Sequence, residues 1–567
     1  MSYILKVIIL IRKRINILLF VCIIINVILF CVLIKFSNSD YYHPTSLYLG
    51  VLKELPLLYW MGALSSIFFL LLLSYFRPIN RIYYYLAFFY MYIYYFLLPI
   101  LNIQLPLVGS SYYPFSLVKL IIQTGSMPTT ESIPVTSYNL WPSFHFLNSF
   151  IILLTGSSIA EAVNISRYMI ILLIFFSIIF FATYISKFEN SHLLKFLLIG
   201  TTTLSGTFLF FLNYVPQSLA YCQYLFLIAI TLSDRNKNKN APEMALLFVI
   251  FSISLIITHF LSSLFILLGI LVSNFDRALR KGPSILFAIM FLSWCVIHSS
   301  LFFRIGINSL IRQLNNFDSS TIVAKFSPIT VYKYQTLHLS YLYIITLCIL
   351  ILMALIVSIK NDNIRRCYRP ILFSFGLLPM ILMKYSVGAS ESGIEMIDRV
   401  FLLGTPIMSI LIFNFSTLIK EYDKVSIFNS NRFQLCVVIL VIILISTSLF
   451  IRYPRTSFDQ INPSDLAGAR FLSDKMSQED TYSLRNSQLL WFFELPYFPN
   501  KYTNNFDLYD LTAEKFNETV HKVTFIEVRS TDFYEYIFNY NIGYYSFIKY
   551  INLRNNIYNN TNSKLYF

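Results

Sequence analysis

Charge is what this sequence has least of. Asp, Glu, Lys and Arg make up 13% of its 567 residues, where a soluble protein of this size carries about 25%. With 57% hydrophobic residues and a mean hydropathy of +0.65, that shortage excludes an ordinary soluble enzyme. Cysteine is also sparse. The seven present (Cys22, Cys31, Cys222, Cys295, Cys348, Cys367 and Cys436) lie in or beside apolar runs. None has C-x-x-C spacing, so neither a disulfide framework nor a zinc site is indicated. No small-residue cleavage site follows the first apolar run, 15–36, which reads as a spanning helix rather than a removable signal. Internal repeats with a period of about 20–50 residues and low-complexity tracts are both missing.

What remains is a succession of apolar runs of about 20 residues, the length that crosses a bilayer as a helix. The chain is therefore expected to be an all-α polytopic membrane protein. Tyrosine clusters such as IYYYLAFFYMYIYYF, among 41 Tyr and 54 Phe in all, suit helix ends at the membrane interface. A net charge of +15 would suggest nucleic acid in a soluble domain. Here the Lys and Arg fall in short clusters between apolar runs, so they read as topology signals and no nucleic-acid partner is implied.

Those clusters give one consistent arrangement. Lys6, Arg12, Lys13 and Arg14 hold the N-terminus in the cytoplasm, and spans at 15–36 and 57–76 enclose an external loop with Asp40 and His43. A Tyr-rich span at 82–101 then leads to a long loop, 102–164, with a single Lys and no Arg, which fits the outer side. Further spans are expected at 165–186, 196–213, 216–233, 284–302, 337–359, 370–386, 400–419 and 433–451. The run 244–275 is too long for one crossing and reads as two short helices meeting at Thr258-His259. The total is about thirteen crossings, N-terminus in and C-terminus out. Three parts follow: an N-terminal hairpin (1–81), a main transmembrane domain (82–452) and a C-terminal extracytoplasmic domain (453–567). The last is polar, lacks cysteine and has alternating stretches such as VTFIEV and YSFIKYI, which suit a small α/β or mixed domain. Asn164-Ile165-Ser166, Asn517-Glu518-Thr519 and Asn559-Asn560-Thr561 match the N-glycosylation sequon.

Four places can carry chemistry, since ionisable groups facing lipid are costly. The long loop holds two apolar pieces, about 113–124 and 142–155, each followed by glycine (Gly125, Gly156) as helix ends require. The second, WPSFHFLNSFIILLTG, begins with Trp141 as an interface anchor and Pro142 as helix start, with His145 in the first turn. A full crossing there would put Lys187 and the RNKNKN run outside, so it reads as a surface helix. It either shapes a pocket for a lipid-linked substrate or merely packs on the bundle. Arg167 follows near the outer end of the next helix, as a phosphate ligand or a snorkelling cation. Gln217, in NYVPQ, and His259 sit at helix breaks, which often line cavities; for His259 a structural role is the alternative. Finally, Glu391, Glu395, Asp398 and Arg399 crowd the loop KYSVGASESGIEMIDRVFLLGTP. Three carboxylates can hold a divalent cation such as Mg or Mn through oxygen ligands, and the guanidinium a phosphate. The alternative is a solvated charged cap with a Glu–Arg pair.

These stretches resemble those of GT-C-type membrane glycosyltransferases, the superfamily of oligosaccharyltransferase catalytic subunits and protein O-mannosyltransferases, particularly archaeal members. WPSFHFLNSFIILLTG is similar to the Pro-x-x-(aromatic/His) apolar segment, ending in Gly, of that superfamily's first large external loop. Ser166-Arg167-Tyr168 follows where these families often carry an Arg. NYVPQSLAYCQYLFLIAITL, DRVFLLGTPIMSIL and the ending INLRNNIYNNTNSKLYF are also similar. The likeness covers residues 82–567. It implies a sugar donor linked to a polyprenyl phosphate, a glycan or protein acceptor and the outer face of the plasma membrane. The WWDYG-type acceptor motif is absent. So is the acid these proteins carry early in the loop: the matching stretch is Gly109-Ser110-Ser111-Tyr112-Tyr113-Pro114. If catalysis is retained, another carboxylate acts on the acceptor, with Glu131 first, then Asp398 and Asp40. Arg399 and Arg167 would hold the donor phosphate, with His145, His259, Gln217 and Glu395 as further substrate contacts and Glu391, Glu395 and Asp398 around a metal. The alternative is an inactive relative that binds, polymerises or translocates lipid-linked glycans.

Overall fold

The computed structural model describes residues 17–33, 55–76, 80–98, 113–126, 141–186, 193–206, 216–232, 241–260, 262–267, 281–298, 339, 342–343, 345–350, 352, 402–410, 430–452 and four short strands beyond them. The helices are α1 (Ile17–Leu33), α2 (Leu57–Phe76), α3 (Arg81–Tyr92), α4 (Tyr113–Thr124), α5 (Ser143–Thr155), α6 (Ile159–Ser186), α7 (Leu193–Gly206), α8 (Pro216–Leu232), α9 (Ala241–Thr258), α10 (Lys281–Ile297) and α11 (Ser430–Arg452). The expected spans 57–76 and 216–233 agree with α2 and α8 almost to the residue, while 370–386 lies outside the described residues.

The helices are inverted in polarity relative to a soluble bundle. Ile17, Phe20 and Ile28 of α1, Leu57, Met61, Leu64 and Phe68 of α2, and Leu172 and Phe176 of α6 are exposed. Asn26, Ser66, Ser166, Ser177, Thr201, Thr202, Thr203 and Ser205 are buried. Apolar side chains outside and hydroxyls or amides within is the arrangement lipid selects. The protein is accordingly a membrane protein. By length and composition α2 and residues Glu161–Ser186 of α6 can each cross a bilayer, and six shorter apolar helices accompany them among the described residues.

Helix α7 lies at the centre, packed against α3, α6 and α11, and α11 also packs on α2. Further round, α6 meets α8, α8 meets α9 and α9 meets α10. Small residues permit the close approaches. A Cβ at Gly200 would come within 3.0 Å of the Phe88 ring, and one at Gly206 within 2.6 Å of Thr405 Cβ. Buried hydroxyls then join distant segments: Thr203 with Ser409 (3.3 Å), Ser205 with Tyr343 (3.2 Å) and Tyr224 donating to the Leu403 carbonyl (2.6 Å).

The tyrosine cluster departs from the interface-belt expectation. Tyr84, Tyr90, Tyr92, Tyr94 and Tyr95 are all buried in the bundle. Their hydroxyls cross between helices to main-chain carbonyls: Tyr90 to Ile23 (3.3 Å), Tyr92 to Ile171 (2.6 Å) and Tyr94 to Asn26 (3.1 Å). At Ile93 helix α3 widens into a π-helical turn, Ile93–Leu97, where Tyr59 donates to the Tyr94 carbonyl at 2.6 Å. A buried phenol must find an acceptor, and in lipid a helix backbone supplies it.

Two boundaries also differ. Helix α6 starts at Ile159, six residues ahead of the expected 165, because Ser158 and Glu161 form a capping box. The Ser158 N–H and hydroxyl both donate to Glu161 Oε2 at 2.8 Å, and the Glu161 N–H donates to Ser158 Oγ at 3.3 Å. Ser158→Ala is expected to cost about 1 kcal/mol, measured as a lowered thermal midpoint in detergent; Glu161→Ala should cost a similar amount and add little when combined with it. At His259 the chain runs on without reversing, since His259 N donates to the Leu255 carbonyl (3.0 Å) and Ser263 N to the His259 carbonyl (3.3 Å). The junction expected at Thr258-His259 is thus a continuation of helical hydrogen bonding.

In the C-terminal part the strands β1 (Tyr482–Ser483), β2 (Phe525–Arg529), β3 (Asn556–Asn559) and β4 (Ser563–Tyr566) form one sheet in the order β1-β2-β4-β3. The β1–β2 pair is parallel and the other two pairs antiparallel. Strand β2 falls in VTFIEV, whereas YSFIKYI lies outside the described residues.

Candidate functional site

Both short helices of the long loop form where the apolar pieces and their glycines place them. Helix α4 ends at Gly125 (φ +72°) and α5 at Gly156 (φ +65°), each donating its N–H to the carbonyl four residues back at 2.8 and 2.9 Å. Only glycine takes this left-handed cap without strain.

Helix α5 has two unlike faces. His145, Asn148, Ser149 and Ile152 are buried, at the i, i+3, i+4, i+7 spacing of a single stripe. Phe146, Phe150, Leu153 and Leu154 are exposed, by 47 to 70%. Its polar stripe thus faces the protein and its greasy side faces outward. The helix packs against α4, α6, α8 and α9, so it is a hub of the bundle's edge rather than a detached surface helix. Trp141, immediately before it, is 5% exposed and packs on Phe260 with ring centroids 5.7 Å apart. Phe260 in turn stacks on Phe291 of α10 at 5.7 Å. Trp141, expected as an interface anchor, thus joins the start of α5 to Phe260, just after α9.

His145 is fully buried, with Nδ1 3.2 Å from the Pro114 carbonyl. A carbonyl only accepts, so Nδ1 carries the proton in that bond, which ties α4 to α5. Phe115 and Phe144 meet edge to face beside it at 6.3 Å. One turn on, Asn148 Nδ2 donates to the Phe144 carbonyl (2.7 Å), while its Oδ1 accepts from Ser166 Oγ of α6. Ser149 Oγ donates to the His145 carbonyl at 2.9 Å.

Arg167 follows Ser166 directly and is 7% exposed. A snorkelling side chain keeps its charged head in water; this one is buried. One guanidinium nitrogen donates to the Tyr168 hydroxyl at 3.2 Å, and the guanidinium carbon lies 5.0 Å from the Tyr168 ring centre. The seam between α5 and α6 is therefore closed by the Asn148–Ser166 bond, with Arg167 next in sequence on α6. Ser166, buried and committed to Asn148, sits within α6. The sequon at Asn164 is thus helical and packed, not the exposed loop that glycosylation uses.

The remaining described candidates stand on helices that touch α5. Gln217 lies in the first turn of α8, after Pro216 at its first position, the place proline favours. It is 3% exposed, and its Nε2 is buried without a hydrogen-bond partner. His259 Nδ1 accepts from the Ser262 N–H at 3.3 Å and lies 3.0 Å from Ser262 Oγ, capping the stretch 262–267. Asp40, Glu131, Glu391, Glu395, Asp398 and Arg399 lie outside the described residues. Among the described residues no group of three His, Cys, Asp or Glu is placed to hold a metal ion. Sequence reasoning overlooked Asn148, Ser149 and Ser166. The H-x-x-N-S spacing in an otherwise apolar helix was the available signal for the first two.

No protein-family model matches the chain, and no curated protein sequence matches it. Among solved structures it is similar to ArnT from Cupriavidus metallidurans bound to undecaprenyl phosphate (TM-score 0.41, 9% identity, covering 81% of this chain and 93% of that one). It is also similar to the Archaeoglobus fulgidus oligosaccharyltransferase tethered with an acceptor peptide (TM-score 0.44, 10% identity, 76% and 67%). A third likeness is to archaeal AglB from the same organism in complex with an inhibitory peptide and a dolichol-phosphate (TM-score 0.41, 12% identity, 76% and 67%). These likenesses are of overall form. The site stands on its own residues.

Proposed function

We propose that this multi-pass protein is a glycosyltransferase of the outer face of the plasma membrane that takes a sugar from a polyprenyl-phosphate-linked donor. The observation that carries the reading is the two-faced helix α5. Its exposed Phe146, Phe150, Leu153 and Leu154 suit isoprenoid chains, and its buried Asn148 is hydrogen-bonded to Ser166, the residue before Arg167. A lipid phosphate needs that combination: an apolar wall for the tail and a planar fork of N–H donors for the headgroup.

The acceptor is a glycan or protein, held by the external domain 453–567. Its hydroxyl oxygen attacks the anomeric carbon and the bond from that carbon to the phosphate oxygen breaks. The lipid phosphate leaves with the electron pair, and the hydroxyl proton passes to a carboxylate, Glu131 or Asp398 with Asp40 as a third candidate. Arg399 shares the donor phosphate with Arg167. Gln217 offers its buried amide donors to the substrate, while His145 and His259 hold the helices that frame it. A divalent cation, Mg or Mn, would be held by Glu391, Glu395 and Asp398, and would neutralise phosphate charge.

Sugar transfer from a lipid-linked donor by the purified protein tests this. Glu131→Ala or Asp398→Ala is expected to lower the rate by about a hundredfold or more if it removes the general base. Equal rates in wild type and both variants would reject the assignment of the base. The stretch Gly109–Pro114, which lacks an acid, favours a second reading: a relative without catalysis that binds, polymerises or translocates lipid-linked glycan. Wild-type protein that binds a polyprenyl phosphate but transfers no sugar to any acceptor supports that reading instead.

A further inference from the structure

Tyr168 of the same helix sets the plane of the Arg167 guanidinium, while the placing of α6 against α5 falls to the residue before it. That residue, Ser166, is fully buried and gives its hydroxyl to Asn148 Oδ1 across the seam. Asn148 is itself fully buried, and its Nδ2 is fixed on the Phe144 carbonyl at 2.7 Å. The carboxamide therefore has one orientation: the amide holds its own helix and the oxygen holds α6. Ser149 repeats the inward anchor on α5 (2.9 Å to the His145 carbonyl), and His145 reaches Pro114 of α4. Helix α5 is thus tied on one side to α4 through His145 and on the other to α6 through Asn148, at the residue before Arg167.

We propose that Asn148 and Ser166 are positioning residues for phosphate recognition: their bond fixes the register of α5 on α6 at the residue before Arg167, and so where that guanidinium stands for a headgroup. This rests on the lipid-phosphate reading above. In the low dielectric of the seam such a bond is directional and costly to leave half made. A rotation of α5 by one residue, about 100°, would carry Asn148 away from Ser166 and break the bond. The seam selects for the charged headgroup and not for the lipid tail, whose contacts lie on the opposite face.

The experiment measures binding of a short-chain polyprenyl phosphate and of the matching polyprenol to full-length protein in detergent or nanodiscs. Ser166→Ala and Asn148→Leu are expected to weaken the phosphate about five- to tenfold, the equivalent of one hydrogen bond, and leave the alcohol unchanged. Ser166→Thr, which keeps the hydroxyl, should restore the phosphate. In a double-mutant cycle, Ser166→Ala should add little to Arg167→Ala, because it acts through the same guanidinium. Equal losses for phosphate and alcohol would mean that the bond only supports the fold, and would overturn the proposal. So would full additivity with Arg167→Ala. If Arg167→Ala itself leaves phosphate binding intact, the lipid-phosphate reading fails and the positioning role falls with it. If Arg167→Ala loses binding and Ser166→Ala does not, the positioning role alone is wrong. Thermal midpoints of each variant separate loss of fold from loss of binding.

Discussion

Arg167→Ala is expected to weaken polyprenyl-phosphate binding by about ten- to a hundredfold, the range of a charged hydrogen-bonding group removed from a phosphate. The magnitude follows from placement. At 7% exposure the guanidinium is poorly served by water, so its interaction with an anion is screened far less than at an open surface. Its burial against Tyr168 (5.0 Å to the ring centre) also fixes the plane of the fork before the ligand arrives, which reduces the ordering cost of binding. Arg167→Lys should recover part of the affinity, since a point charge replaces the fork. Raising salt should have little effect on the wild type. Calorimetry or quenching of intrinsic fluorescence gives the constants, with the uncharged polyprenol as control. An unchanged phosphate constant in Arg167→Ala would remove the residue from the site.

Gly62→Ala is expected to be the most destabilising added methyl among the described glycines, at about 2–3 kcal/mol. A Cβ there would overlap the Tyr94 ring. That ring has nowhere to go, because its hydroxyl is bonded to the Asn26 carbonyl at 3.1 Å and its own carbonyl accepts from Tyr59 at 2.6 Å. Either α2 moves off α3 or both bonds stretch. The thermal midpoint in detergent should fall clearly, and Gly62→Ala placed in a Tyr94→Leu background should cost much less. Additive losses would locate the damage elsewhere.

How much of this was legible in the residues differs by feature. The spans of α2 and α8 follow from apolar run length, and the ends of α4 and α5 from Gly125 and Gly156, because both signals are local. The start of α6 was local too: Ser158 and Glu161 have capping-box spacing, but an apolar-run criterion passes over them. The tyrosines misled for a different reason. Composition places Tyr at an interface, yet which hydroxyl meets which carbonyl is decided by helices far apart in sequence, as with Tyr92 and Ile171. The same holds for the site. His145 and Arg167 stood out as polar residues in apolar surroundings, while Asn148 and Ser166 acquire meaning only once α5 lies against α6. Hydropathy gave α5 its greasy character and no sense of which face would point inward.

The tyrosine links have one more consequence. In each, the donor is a side chain and the acceptor is the peptide unit of Ile23, Asn26, Tyr94, Ile171 or Leu403. No substitution by another amino acid deletes a carbonyl, so half of every such link is beyond the reach of point mutation. The bundle's registry is written on one side in chemistry that all residues share. Changes at Ile23 or Ile171 should leave the links standing, whereas loss of the phenol breaks them.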